Sequence, residues 1–292
     1  MFAVTLLCAP GTRHLDEALP GELSTAWGGT EPVWLAPGEA AEFLVTYSPG
    51  TFWEVWSQLQ ERGIDIAVQP AEGRRRKLLL ADMDSTMIAQ ECIDELAAMA
   101  GIGAHVAQIT ARAMNGELDF EAALRERVAL LEGLEETVIE EVLATRITLA
   151  PGGPELVATM RANGAHAALV SGGFTAFTAD VAARLGFDEH RANVLLARDG
   201  KLSGQVAEPI LGREAKITAL EEICARLGIA EAEAMAVGDG ANDLGMLGRA
   251  GAGVALHAKP AVAAQTDLRI NFGDLTALLY LQGYRREEFS RP

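Results

Sequence analysis

Residues 77–87 read KLLLADMDSTM, and this stretch decides how the rest of the chain is read. Three leucines and an alanine, with no polar residue among them, predict a strand buried on both faces. The strand ends in two carboxylates one residue apart, Asp82 and Asp84, followed by Ser85 and Thr86. Like charges at the tip of a buried strand either face water in a loop or await a cation.

Working downstream, four more short apolar runs appear: AHAALVSGG, AMAVGDG, AGVAL and LRIN. Helical periodicity separates or follows them at 154–163, 175–185, 213–227, 244–249 and 274–281. Buried runs alternating with helices predict a Rossmann-like parallel sheet in an α/β fold. The stretch LLARDGKLSGQVAE reads as an Asp-Gly hairpin. Between Asp84 and Pro151 only helical patterns occur, so a helical cap is expected as an insertion after the first core strand.

Upstream, FAVTLLC, VWLA, AEFLVTY and IDIAVQP read as strands, and TFWEVWSQLQERG as an amphipathic helix ending at Gly63. A weak helix near 14–19 would complete a β-α-β-β-α-β order, a small ferredoxin-like α+β domain. AEGRRRK then reads as a polar linker. The expected division is a domain at 1–72 and a second at 73–292, its core at 73–87 and 150–292 and its cap at 88–149.

The formal net charge of −17 argues against nucleic acid and anionic membranes as partners, and any anion site must bring its own local cation. Three scattered cysteines without a C-x-x-C pair fit free thiols in the cytoplasm. The apolar start MFAVTLLCAPG lacks a basic n-region and reads as a strand, not a signal. No apolar run reaches the length of a membrane helix.

In parallel α/β sheets, function gathers beyond the carboxyl ends of the strands. Three such ends carry polar clusters: Asp82 with Asp84, then Ser171 with Gly172 and Gly173, then Asp239 with Asn242 and Asp243. Lys216 opens a helix between the last two. Each cluster alone is more often a turn or a cap. Together, four acids need a cation, and an all-oxygen set with open positions suits Mg²⁺. The Ser-Gly-Gly segment offers an anion cradle and Lys216 a point charge, a combination that describes phosphoryl transfer. GDGAND fails the calcium-loop pattern, and GAGVAL lacks the third glycine of a dinucleotide fingerprint.

LLLADMDST, LVSGGF, Lys216 and VGDGANDLGML resemble the four motifs of the haloacid dehalogenase superfamily, in its Mg²⁺-dependent phosphatase branch. DMDSTMIAQECIDELA, ITARAMNGELDFEAALRERVALLEG and DLTALLYLQGY are similar to the phosphoserine phosphatase family within it, over about residues 75–284. The resemblance implies that Asp82 is the nucleophile and Asp84 the general acid and base. It implies a Mg²⁺ site of Asp82, Asp84 through its carbonyl, Asp239 and Asp243. Ser171, Gly172, Lys216 and Asn242 would hold phosphate. Glu91 and Arg127 would take the ammonium and carboxylate of O-phosphoserine, and Met114 and Phe120 would line the pocket. The implied role is the last step of serine biosynthesis. The first seventy residues lie outside the resemblance; their element order alone points to an ACT-like module, and a homodimer is left open. Three rivals stay in view: another small phosphomonoester or phosphotransfer to an alcohol, a non-catalytic phospho-ligand sensor, and a regulatory binding module in residues 1–70.

Overall fold

The computed structural model describes residues 1–12, 14–114 and 117–291, with the Met114 side chain also outside the described set. Residues 2–70 form β1 (Phe2–Cys8), α1 (Ala18–Trp27), β2 (Val33–Ala36), β3 (Ala40–Val45), α2 (Phe52–Gln60) and β4 (Ile64–Pro70). The sheet runs β2-β3-β1-β4, antiparallel throughout, which is the ferredoxin-like order. The expected helix near 14–19 begins instead at Ala18. Asp16 Oδ1 accepts the Ala18 N–H at 3.1 Å, and Pro20 sits in the first turn, where a missing N–H costs little. Alternation sorts β1 between two layers. Val4, Leu6 and Cys8 pack with the two helices, while Leu7 joins the core of the neighbouring sheet.

The second sheet contains β5 (Leu78–Ala81), β6 (His166–Phe174), β7 (Glu189–Asn193), β10 (Ala234–Gly238), β11 (Ala252–Leu256) and β12 (Leu268–Ile270). Its order is β12-β11-β10-β5-β6-β7, with every pair parallel. Leu78, Leu79 and Leu80 are fully buried, each contributing about 1.5–3 kcal/mol of burial. Leu78 and Leu80 pack with the helix at Arg213–Leu227, whereas Leu79 and Ala81 face the opposite layer. The edge strand β7 has no apolar run to announce it, since EHRAN is polar and paired on one side only. The Ser-Gly-Gly segment is not a separate turn. It is the last part of β6, where pairing with β7 becomes irregular between Val170 and Phe174.

Helices α3 (Cys92–Met99), α4 (Gly103–Met114), α5 (Phe120–Ala129) and α6 (Val138–Thr145) form the insertion after β5. Later helices are α7 (Gly153–Ala162), α8 (Thr175–Leu185), α9 (Arg213–Leu227), α10 (Leu244–Arg249), α11 (Pro260–Ala263) and α12 (Ala277–Leu281). The Asp-Gly hairpin is present as β8 (Leu195–Arg198) and β9 (Lys201–Val206). It ties the insertion to the core, since Gly133 N donates to Leu202 O at 2.9 Å and Leu202 N to Leu134 O at 2.8 Å. Among the described residues, no helix is long and apolar enough to cross a membrane.

The arginine-rich segment after β4 is pinned rather than loose. Arg74 pairs with Glu42, Arg75 with Glu288 at 2.7 Å, and Arg76 donates to the carbonyls of Ala232 and Gly251. Across the same junction, buried Asp65 accepts the backbone N–H groups of Asn271, Phe272 and Gly273, each at 2.9 Å. Burial raises the Asp65 pKa, and these bonds oppose the rise. Removing the carboxylate orphans three donors, one buried and two partly buried, so Asp65→Ala should lower stability by about 3 kcal/mol in urea denaturation. An unchanged midpoint would show that the junction carries little of the stability.

Candidate active site

β10 and β6 flank β5, so the three polar strand ends meet at one edge of the sheet. Asp82 continues β5 by one bond, its N–H donating to Val237 O at 3.0 Å. Ser85, three residues on, holds a left-handed φ of 56°, a strained conformation for a residue with a Cβ and one that clusters at functional sites. Lys216, in the first turn of α9, is completely buried. Its Nζ lies 2.7 Å from Asp82 Oδ1 and 2.6 Å from Asp243 Oδ1. The other Asp243 oxygen accepts the N–H groups of Asp239 and Gly240 at 3.1 and 3.0 Å. That closeness requires glycine at 238, where a Cβ would stand 2.4 Å from Asp243 Cγ.

One carboxylate oxygen from each of Asp82, Asp239 and Asp243 lies within 4.8 Å of the others, and all three residues are buried. Burial raises the Asp82 pKa to about 7; the Asp243 charge adds to the rise and Lys216 opposes it. Burial and then the charges of Asp243, Asp82 and Glu91 lift Asp239 well above the carboxylate range. Burial works against the charge of Lys216, but Asp243 and Asp82 more than offset it and its pKa rises. Lys259 adds only a partly exposed charge 3.8 Å from Asp239 Oδ2. Such a crowd of oxygen donors with so little positive charge fits a hard divalent cation.

Over this cluster the insertion closes a cavity of about 30 Å³. It has room for a few waters. Asp84, Glu91, Phe120, Arg127, Ser171, Gly172 and Asn242 line it. Burial and the Glu91 charge hold the Asp84 carboxyl well above its ordinary pKa, although Cys92 N donates to Oδ1 at 3.3 Å. Ser171 Oγ accepts the Gly173 N–H at 2.9 Å. Asn242 Oδ1 is buried without a partner among the described residues. Phe120 packs so closely that a Cβ on Gly172 would stand 2.7 Å from its ring. Of the residues singled out in the sequence, all but Met114 lie around this cavity or its acidic floor; the Met114 side chain is outside the described residues.

Other residues of the site were not legible. Ser85 Oγ donates to Glu91 Oε1 at 2.6 Å. Buried Asn193 ties the end of β6 to the segment before α9, donating to Gly172 O at 2.8 Å and Leu211 O at 3.1 Å and accepting from Leu211 N at 2.6 Å. A lone Asn in a polar edge strand carries no sequence signal of that role.

The family model of haloacid dehalogenase-like hydrolases matches residues 79–248. The chain belongs to the haloacid dehalogenase-like hydrolases. Within that family, the phosphoserine phosphatase of Streptomyces coelicolor is 44% identical over 295 residues, covering 98% of this chain and 71% of the relative. A hydrolase of the family from Salmonella enterica serovar Typhi superposes with a TM-score of 0.83 at 28% identity, covering 96% of this chain and 98% of that one. A phosphoserine phosphatase solved as a phospho-aspartyl intermediate analogue superposes with a TM-score of 0.68 at 40% identity, over 70% of this chain and 98% of that one.

Proposed function

We propose that this hydrolase is a Mg²⁺-dependent phosphomonoesterase that converts O-phosphoserine to serine and phosphate through an aspartyl-phosphate on Asp82. The observation that carries the substrate is the cavity wall. Glu91 and Arg127 line the same small space as Asp84 and Ser171, and so offer an anion and a cation beside the phosphate cradle. Phosphoserine carries an ammonium, a carboxylate and a phosphate, one for each. The relatives named phosphoserine phosphatase support the same reading. The division into residues 1–72 and 73–292, with the cap at 88–149, belongs to this proposal.

Asp82, Asp239 and Asp243, with the Asp84 carbonyl, would hold the ion. When bound, Mg²⁺ neutralises the carboxylates and phosphate oxygens that must approach one another. The Asp82 carboxylate attacks phosphorus, and the bond from phosphorus to the serine oxygen breaks. Asp84, whose pKa burial and the Glu91 charge raise well above its ordinary value, gives a proton to the departing oxygen. In the second half, Asp84 takes a proton from water as that water attacks phosphorus, and the bond to Asp82 breaks. Lys216, Ser171 and the Gly172 N–H stabilise the charge on the phosphoryl oxygens, and Asn242 supplies a further polar group. Asp243 holds Lys216 in place through its Oδ1. Closure of the cap over the reacting groups excludes bulk water.

Arg127 tests the substrate. Arg127→Ala should lower kcat/KM for phosphoserine roughly 10- to 150-fold, the worth of a charge-assisted hydrogen bond. Phosphoethanolamine lacks the carboxylate, so it should be a poor substrate for the parent and lose little more in the variant. Equal losses on both would mean that Arg127 serves the phosphate or the fold, and the substrate assignment would lose its structural support.

A further inference from the structure

Arg127 is buried in the cap, and its guanidinium has five N–H groups to place. The Nε–H goes to Ala123 O at 3.0 Å, one turn back on α5. One Nη1–H goes to Thr110 Oγ on α4 at 3.0 Å. Among the described residues the remaining three have no hydrogen-bond partner, and Arg127 lines the cavity. Thr110 is itself buried, and its single hydroxyl proton has two acceptors within reach: Asp94 Oδ1 on α3 at 2.6 Å and Val106 O at 3.1 Å. The shorter bond to a carboxylate wins. With its proton committed to Asp94, Thr110 can only present a lone pair to Arg127. The chain Arg127–Thr110–Asp94 therefore has a fixed donor direction, and it spans three cap helices.

We infer that Thr110 and Asp94 are positioning residues that set the orientation of Arg127 and thereby the preference for a substrate carrying a carboxylate. The inference rests on the proposed role of Arg127. Without the Thr110 acceptor, the guanidinium keeps only its own-helix bond and can rotate about its long side chain. Binding of a carboxylate then has to restore the orientation at the expense of affinity, while a substrate without a carboxylate does not use it.

The test is kcat and KM for phosphoserine, phosphoethanolamine and p-nitrophenyl phosphate in the parent, Thr110→Val, Thr110→Ser and Asp94→Ala. Thr110→Val should raise the phosphoserine KM about tenfold and leave the other two substrates unchanged, and Thr110→Ser should restore the parent value. Asp94→Ala should fall between, because Val106 O then takes the proton. In an Arg127→Ala background, Thr110→Val should add nothing for phosphoserine. Equal losses on all three substrates, or the same loss with and without Arg127, would overturn the inference. Should Thr110→Val not fold, Asp94→Ala carries the same comparison. A parent that prefers phosphoserine while no variant changes that preference overturns this inference alone. A parent with no preference for phosphoserine overturns the substrate proposal and this inference with it.

Discussion

Asp82→Asn should abolish phosphate release, by at least about 10⁴-fold, while the protein stays folded. The amide keeps the shape of the carboxylate but has no charge with which to attack phosphorus. The fold should persist because the site does not need this charge for stability. Asp82 lies in a buried cluster with two other acids, and its pKa is already lifted by burial and Asp243. Lys216 also keeps Asp243 as a partner at 2.6 Å. Removing one of several crowded negative charges relieves repulsion, so the melting temperature should equal or exceed the parent's. Turnover within about tenfold of the parent would exclude Asp82 as nucleophile. A collapsed melting temperature would mean that Asp82 holds the fold rather than the chemistry.

Removal of divalent metal should be equally decisive for activity, with EDTA eliminating turnover and Mg²⁺ restoring it. Ca²⁺ should restore it poorly, since its longer bonds and higher coordination number misplace the reacting groups. Full activity in metal-free buffer would contradict the role given to Asp82, Asp239 and Asp243. The same cluster predicts a stability signature that needs no turnover. Asp82 has a folded pKa of about 7 against an ordinary value of 3.8. A carboxyl raised on folding binds its proton more tightly in the folded state. Its contribution to stability is complete below about pH 3.8 and is lost as pH rises through about 7. Asp239 shifts in the same direction for the same reasons. The metal-free protein should therefore lose stability as pH rises through neutrality. Mg²⁺ should raise the melting temperature more at pH 8 than at pH 6. A Mg²⁺ effect that is independent of pH would contradict the cluster as the binding site.

The core of the site was legible because its residues lie at the ends of apolar runs. LLLA announces a buried strand, and burial of that strand makes Asp82 and Asp84 conspicuous. The same logic exposed Ser171 after HAALV and Asp239 after AMAVG. Strand β7 escaped because an edge strand with a polar face has no such run. Helix α1 was misplaced because Pro20 and Gly21 look like a break, whereas proline is tolerated in a first turn. The three arginines at 74–76 read as a solvated linker, since nothing local tells that Glu42, Glu288 and two backbone carbonyls meet them. Thr110 and Asp94 show the same limit inside the site. They matter through a meeting of three helices, and helical periodicity says which faces are apolar but not which polar tips coincide.

The most direct test of the account is the initial rate of phosphate release by the purified parent protein from O-phosphoserine, phosphothreonine, phosphoethanolamine and p-nitrophenyl phosphate, each with Mg²⁺ and with EDTA. The account predicts the highest kcat/KM for O-phosphoserine and no release from any of the four in EDTA. Metal-independent release, or Mg²⁺-dependent release that does not favour O-phosphoserine, would contradict it.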